Sequence, residues 1–509
     1  MEKTSAPPPK ISQPQTVKKI ARNVFYGFLT WILPLGLSFV AAPVIVRKLG
    51  ERDYGIYALV LGFVAYSFSF SIGRAITKYI AEFRSTGESE KIRDVISATL
   101  FLNISVGLLG VFLICGLADW LVRDVFLIEA AARDQTVLAF YAAAFVIFFS
   151  ALNQVFSAVL QGIHRFDVFS NVTNFNSFAL LAGNLILVYA GFGLLSLLVW
   201  NLFLSALVCL IFVFYAKKFL PEFGVTFRFK PEILTSVLKY SSGIIGYQIL
   251  ANALLLFERG WITRRLGAEN LTYYVVPMLV GLNIHAFVSS IVIVVFPLAS
   301  ELKNEPEKLL RLYLKATKIV GFLVVFLVTT VIVERREFLS LWMKGSFAER
   351  SSDVLILHTI TFGLAALLSV SWQMTEGLGF PNYNFAVYTI CIVISVPLMI
   401  LLTNEYGNFG IAAARLAGFG ALFFSIFAVE KWFFRKIQIK FWLETFGALA
   451  ASMFAAALLE IWLIERLPPV WSTLFLVTFC GGVVYLAALW LLGFVKTDEK
   501  ILIKSILNG

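Results

Sequence analysis

The sequence predicts an all-α, polytopic membrane protein of about 14 transmembrane helices, and three observations carry that prediction. Of its 509 residues 59% are hydrophobic and only 14% charged, with a mean hydropathy of +0.85, where a soluble domain has about 45–50% and about 25%. Apolar runs of about 20 residues, the helix length that crosses a hydrocarbon core of about 30 Å, recur along the whole chain. The shorter alternating segments of a transmembrane barrel do not occur.

Taken in order, the chain opens on "MEKTSAPPPKISQPQTVKKI", polar and proline-rich, with no apolar core and no small-residue cleavage site; it is not a signal peptide. Residues 1–22 are expected to form a disordered cytoplasmic tail that ends in a short interfacial helix at Thr16–Arg22. Six apolar runs, centred near residues 35, 63, 106, 148, 181 and 204, fill 23–216, and a cytoplasmic linker covers 217–239. Six more, near 251, 285, 326, 364, 393 and 418, fill 240–430. A final pair near 454 and 481 follows the basic loop "EKWFFRKIQIK" within 431–495, and 496–509 is a second cytoplasmic tail. Cys115, Cys209, Cys391 and Cys480 lie singly in apolar runs without metal or redox spacing, and read as small buried hydrophobes.

The net charge of +11 does not call for nucleic acid. About two thirds of the 42 Lys and Arg residues fall in the two tails and the even-numbered connections between runs. The positive-inside rule then places both termini in the cytoplasm and makes the basic surplus a topology signal and a headgroup contact.

A weak repeat runs through the chain. At an offset of 217 residues Arg47, Leu49, Gly50 and Tyr57 fall on Arg264, Leu266, Gly267 and Tyr274, and Lys48 and Asp53 fall on Arg265 and Asn270. The same offset brings Glu88, Glu90 and Lys91 onto Glu305, Glu307 and Lys308, Pro14 and Arg22 onto Pro231 and Lys239, and Phe192-Gly193 onto Phe409-Gly410. "VLQGIHRF" (Val159–Phe166) faces "MTEGLGFP" (Met374–Pro381) after a two-residue slip. Because each copy holds six runs, the copies share one orientation and form a parallel repeat with a substrate site expected at their interface. The expected architecture is two six-helix bundles related by a pseudo-two-fold axis, plus two C-terminal helices. Arg47, Lys48, Arg264 and Arg265 read as outer-boundary anchors, with Gly50 and Gly267 ending their helices.

"ARNVFYGFLTWILPLGLSFVAAPVIVRKLGERDYGIYALV" resembles the start of oligosaccharide flippases of the polysaccharide transporter family. There an apolar first helix runs into a cation, Leu-Gly and a Tyr-Gly-containing second helix. "LQGIHRF" and "FERGWITRRLGAENLTYYVVP" fit the same pattern, and the resemblance extends over nearly the whole chain. It implies membership of the superfamily that also holds multidrug and toxin exporters. It implies two bundles around a central cavity opening alternately to each side of the cell inner membrane, and a cargo of polyprenyl-diphosphate-linked oligosaccharide for surface polysaccharide biosynthesis. A polysaccharide polymerase or glycosyltransferases are the protein neighbours such a role implies for an otherwise monomeric chain.

Such a cargo needs cations for its diphosphate and polar or aromatic groups for its glycan, while its tail stays in lipid. Arginine donates paired hydrogen bonds to phosphate. The candidate cations are therefore Arg415 in "FGIAAARLAGFG", Arg259 near the outer end of the seventh run, and Arg74 and Lys78 at the inner end of the second. Candidate glycan contacts are Gln154, Asn171, Asn174, Gln248, Asn252, Asn283 and Gln373. Glu258 and Glu376 are the carboxylates that could couple an ion. Plainer roles compete: snorkelling for Arg74 and Lys78, a structural ion pair for Glu258 or Arg415, and interhelical hydrogen bonds for Asn153 and the other amides.

The histidines His164, His285 and His358 are too dispersed for a metal cluster, and His285 alone is expected deep in a span. Asn270-Leu271-Thr272 matches a glycosylation sequon but reads as turn chemistry outside a secretory context. "AGFGALF" (Ala417–Phe423) reads as helix packing. No Gly-x-x-x-x-Gly-Lys-Ser/Thr loop occurs, so no nucleotide, metal or other cofactor is expected. A membrane-embedded transferase would show an acidic pair or catalytic His beside a sizeable loop. Asp119, Asp124, Glu129 and Asp134 in the loop Asp119–Thr136 instead have the spacing of a solvated surface, and the chain is not expected to be an enzyme. "GRAITKYIAEFRSTG" lacks the acidic-basic signature of the major facilitator group. The remaining alternative to a flippase is a cation-coupled small-molecule exporter of the same fold.

Overall fold

The computed structural model describes residues 34, 36–67, 73–220, 223–224, 231–344 and 346–494. Both tails, the expected interfacial helix and part of the linker lie outside the described residues. Among the described residues the chain is helical and holds no strand. Ten of its helices are long and apolar enough to cross a membrane, so this is an all-α, multi-pass membrane protein.

The helices are α1 (36–49), α2 (Glu51–Tyr66), α3 (Gly73–Thr86), α4 (Ser89–Trp120), α5 (Ala130–Gly162), α6 (Phe166–Tyr189) and α7 (Leu194–Phe219). They continue with α8 (Pro231–Leu266), α9 (Ala268–Val292), α10 (Val295–Glu301), α11 (Pro306–Met343), α12 (Ser346–Gly377) and α13 (Pro381–Phe419). The short α14 (Phe423–Phe427) and the pair α15 (Ile439–Ile464) and α16 (Trp471–Leu491) complete the chain. Hydrocarbon offers no partner for backbone N–H and C=O groups, which makes helices obligatory. Where proline breaks that rule a side chain repairs it. Pro277 inside α9 leaves the carbonyl of Tyr273 without its helical donor, and Ser351 Oγ of α12 donates to it at 3.2 Å.

The sequence repeat recurs in the backbone. Gly50 (φ 84, ψ 159) and Gly267 (φ 91, ψ 161) make the same turn before α2 and α9, in a region open to glycine and costly for other residues. Glu51 with Asp53, and Glu269, then supply negative charge to the first turns, where the helix dipole favours it. Glu88 and Glu305 stand just before α4 and α11, and each pairs with the lysine three residues on. Its bond from Lys91 holds the exposed Glu88 carboxyl below its ordinary value. The turns after α5 and α12 match bond for bond: Arg165 N to Leu160 O and His164 N to Gln161 O, against Phe380 N to Thr375 O and Gly379 N to Glu376 O.

α13 reverses direction at Gly407 (φ 52, ψ −133). Its two limbs lie against each other, since a Cβ on Gly418 would collide with Ser395 and Cys391. The 52-residue apolar segment Asn382–Phe433 thus contains a helical hairpin. "AGFGALF" packs through Gly418 but is not one uniform helix, because Gly420–Leu422 is a 3-10 turn.

The turns at Gly50, Leu127, Gly267 and Gly407 meet at one end of the molecule. Arg52 Nη1 lies 2.9 Å from Glu129 Oε2, Arg264 donates to the Asp124 and Val125 carbonyls at 2.6 and 2.9 Å, and Asn408 Nδ2 donates to Asn270 O at 2.7 Å. The largest core lies toward this end and draws residues from α1, α2, α4–α9 and α11–α13. Toward the other end the core divides. Among the residues whose burial is described, one part holds only residues of α3–α7 and their adjoining turns; the other holds residues of α9–α12 and the following π turn Ala428–Phe433.

The final pair has its own small core of Leu449, Met453, Ala456, Tyr485 and Leu489 against Phe322 and Phe326 of α11. It is tied down by Glu430, a fully buried carboxylate that accepts from Tyr313 Oη (3.0 Å), Trp442 Nε1 (2.7 Å) and the Gln438 amide (2.7 Å).

At the left-handed position of the matched turns His164 (φ 60) stands where the other copy has Gly379 (φ 94). A side chain in the left-handed region costs about 1–2 kcal/mol. His164→Gly should therefore raise the melting temperature of the detergent-purified protein, and Gly379→Ala should lower it.

A buried charge cluster at the helix seam

α8 runs past Glu258 and Arg259 to Leu266, so both residues lie well inside the protein. Consecutive residues on a helix point about 100° apart, and these two face different partners. Glu258 turns toward the second limb of α13, where its Oε2 lies 3.1 Å from Arg415 Nη1; the two side chains are 1% and 2% exposed. Arg259 turns toward α2, its stem over Gly62 and its guanidinium 4.9 Å above the Tyr66 ring.

The walls around the ion pair are aromatic. Arg415 stands 5.1 Å over the Phe362 ring and 5.5 Å over Phe419, with Nη1 3.5 Å from Met278 Sδ. The Tyr274 hydroxyl lies beside Glu258, and His358 of α12 meets the Tyr274 ring edge-on at 4.5 Å. Arg415 Nε, Arg259 Nε and both His358 ring nitrogens are buried with no hydrogen-bond partner among the described residues. Both Glu258 oxygens likewise have no hydrogen-bond partner among the described residues beyond the ion pair, so the cluster leaves polar atoms of both signs unsatisfied.

α2 seals one side of this cluster. A Cβ on Gly55 would collide with the backbone carbonyl of Ala268, so α2 and α9 touch with no side chain between them. Thr272 Oγ1 donates to Glu51 O and Tyr273 Oη to the Glu51 carboxylate across the contact, and Trp342 Nε1 of α11 donates to Phe39 O of α1 at 2.9 Å.

The other predicted residues are spread over the molecule. Gln248 and Asn252 lie half-buried on α8, Asn283 on α9 and Gln373 on α12. Glu376 is buried on α12 and accepts from Trp372 Nε1 at 3.0 Å, about 27 Å along that helix from His358. It does not join Glu258. Gln154 packs against Gly73 at the start of α3; Asn171 is exposed and Asn174 buried on α6. Lys78 on α3 is exposed, its ammonium 5.0 Å over the Tyr79 ring. Arg74 is on α3, and its side chain lies outside the described residues. Asn153 donates to Ser205 O of α7 at 3.1 Å, an interhelical bond, and Asn270 caps α8 by donating to Leu266 O at 2.7 Å.

Sequence reasoning missed several members. His358 is fully buried, so His285 is not the one histidine deep in a span; a polar sequence neighbourhood near Asp353 disguised it. Tyr274 was visible as the repeat mate of Tyr57, and both are buried, Tyr57 meeting Asn184 Nδ2 at 3.3 Å. Glu334 was disguised by the charged stretch Glu334–Glu337 and Glu460 by an apolar run; they are buried between α11, α15 and α16 on Thr478 (2.8 Å) and Thr330 (3.1 Å). Among the described residues no group of three or more His, Cys, Asp or Glu could hold a metal ion.

The chain is thus a multi-pass all-α membrane protein with a buried ion pair beside a helix seam, and comparison with known proteins gives the family. Residues 44–349 match the polysaccharide biosynthesis protein family, and the chain belongs to it. It is 22% identical over 396 residues to a putative O-antigen transporter of Shigella flexneri, covering 77% of this chain and 93% of the relative. It is 23% identical over 381 residues to the succinoglycan biosynthesis transport protein ExoT of Rhizobium meliloti, covering 73% and 69%. Its fold is that of the inward closed lipid II flippase MurJ (TM-score 0.64, 15% identity, 93% and 99% of the two chains). The inward-facing structure of a multidrug resistance MATE family transporter of the MOP superfamily is also similar (TM-score 0.62, 16% identity, 79% and 92%).

Breaking one side of a buried pair strands the other charge at a cost of about 3–5 kcal/mol, whereas replacing both by apolar groups is often neutral. Arg415→Met alone should sharply lower the melting temperature of the purified protein, and Glu258→Leu with Arg415→Met should restore most of it. A double variant no more stable than the single one would show that the two charges do not stabilise each other.

Proposed function

We propose that this protein is a flippase that moves a polyprenyl-diphosphate-linked oligosaccharide from the cytoplasmic to the outer leaflet of the cell inner membrane. The observation that carries the reading is the divided core: joined at the Gly50 end, separate at the other, with Glu258, Arg259 and Arg415 just inside the joined end. Lysine and arginine counts put the Gly50 end outside. This conformation is then closed outward, and the gap between the separate cores is where cargo enters from the cytoplasm.

In this reading fourteen spans form two six-helix bundles, 23–216 and 240–430, with 431–495 appended. The bundles rock about the seam to expose the cavity alternately. Arg259 and Arg415 receive the diphosphate, Glu258 keeps Arg415 neutralised until the anion arrives, and Gln248, Asn252, Asn283 and Gln373 offer hydrogen bonds to the glycan. Arg74 and Lys78 meet the headgroup at the inner leaflet. The names of the O-antigen and succinoglycan relatives support this cargo class. A cation-coupled exporter of small molecules is the second reading, favoured by Glu258, a buried carboxylate of the kind that can exchange an ion. The flippase fold covers 93% of the chain against 79% for the exporter fold, which favours the first.

Deleting the gene should leave lipid-linked oligosaccharide on the cytoplasmic face and remove a surface glycan. Drug sensitivity with an intact glycan would select the exporter. Arg415→Ala should fail to restore the glycan; full restoration would remove Arg415 from cargo contact.

The rocking motion has its own test. Gly55→Val puts a side chain against the Ala268 carbonyl, so it should wedge the outer seam open. Spin labels at Ala130→Cys and Asp353→Cys, exposed on either side of that end, should move apart by several ångströms relative to the Gly55 protein. An unchanged distance would argue against a seam that opens.

A further inference from the structure

The end of the molecule opposite Gly50 carries a charged crevice that the transport reading does not use. The first turns of α11 present Arg311, Lys315 and Lys318 at i, i+4 and i+7, a single helix face. Lys440 opens the facing helix, α15. Between them, closed by Leu492, Gly493 and Phe494 just after α16, lies a crevice of about 760 Å³ whose lining holds these four cations and one carboxylate, Glu444.

The cations are unequally engaged. Lys318 Nζ donates to Phe494 O at 2.6 Å and stands 4.5 Å over the same residue's ring, fixing the end of α16. Lys440 is 3.7 Å from Glu444 and Arg311 is 4.0 Å from Glu307, both loose contacts between largely exposed groups. Lys315 is exposed and has no ion-pair partner among the described residues. The same crevice is lined by Leu314, Phe441 and Leu492, so an apolar wall stands directly beside the unspent positive charge.

That pairing selects the ligand. A soluble anion would use the cations and leave the apolar wall wet; an acyl chain alone would leave the cations unused. A phosphate ester carried on an apolar chain satisfies both. The crevice also lies at the charged start of α11 and beside the basic loop ahead of α15, and basic pockets between helices take anionic headgroups. We propose that this crevice is a binding site for a lipid-borne phosphate, gripped by Lys315 of α11 and Lys440 of α15 from opposite walls and separate from the Glu258–Arg415 cluster.

The phosphate could belong to a resident glycerophospholipid or to an isoprenoid lipid, and the experiment tells these apart. Full-length protein is titrated in detergent with phosphatidylglycerol, undecaprenyl phosphate or phosphatidylcholine, and bound lipid is counted by native mass spectrometry. Both anionic lipids or one of them should bind more tightly than phosphatidylcholine. The double variant Lys315→Gln/Lys440→Gln should weaken the favoured one about 30-fold, since each cation near an anionic lipid contributes about a factor of five. Loss confined to phosphatidylglycerol assigns a resident phospholipid, and loss confined to undecaprenyl phosphate an isoprenoid occupant; either supports the site.

Lys315→Arg, which keeps the charge, should retain binding and guards against a folding defect. Arg336→Gln, which removes an exposed cation near the far end of α11, should change nothing. Equal affinity for phosphatidylcholine, an unaffected double variant, or equal loss in Arg336→Gln would overturn the proposal. None of these outcomes bears on glycan export, so the site can fail while the flippase reading stands.

Discussion

Two helices meet here backbone to backbone, and much else in the molecule follows from that contact. Gly55 leaves α2 without a side chain where it crosses the carbonyl of Ala268. In lipid, helix association rests on such close packing and on interhelical hydrogen bonds, because hydrocarbon tails are as apolar as the helices themselves. Once α2 lies on α9, the Glu51 carboxylate reaches Tyr273, Arg259 reaches Tyr66, and the space around Glu258 and Arg415 is shut off from that side. The shared core and the buried charges are both consequences of one missing methyl group.

The buried charges in turn explain the aromatic crowd around them. A guanidinium in a low-dielectric setting needs a carboxylate and ring faces to replace water. Arg415 has Glu258 on one side and Phe362 and Phe419 on the others. The arrangement is tolerable at rest and unsatisfied in detail, because Arg415 Nε is left without a partner. The Glu258 oxygens are equally short of hydrogen bonds, so the pair is held by charge and ring faces rather than by a closed hydrogen-bond network.

The fold was legible because its signals are local. Apolar length alone marks a spanning helix, and the glycines at 50 and 267 mark ends whatever surrounds them. The repeat was legible because turn chemistry survives where side chains drift, as the matched bonds around His164 and Gly379 show. The site was only half legible. Arg415, Glu258 and Arg259 stood out as charges in apolar runs, but the pairing of residues 258 and 415 is a tertiary fact with no local trace. Tyr274 and His358 were lost because tyrosine reads as an ordinary membrane residue and His358 sits near a charged helix start. Glu460 was lost for the opposite reason, its apolar neighbours making it look like noise, and Glu430 was read only as the start of a basic loop. Glu376 stood out as Glu258 did but lies apart from it, accepting from the tryptophan four residues earlier on its own helix.

The last two helices have a mechanical consequence that comes from Glu430. Its carboxylate gathers donors from α11, from the loop ahead of α15 and from α15 itself, and Tyr485 Oη adds a bond from α16 to Phe322 O at 3.0 Å. Held at several heights, the pair has no hinge of its own and must travel with α11. It behaves as an outrigger on a hull, widening the footprint of α11 and enlarging the lipid shell around it.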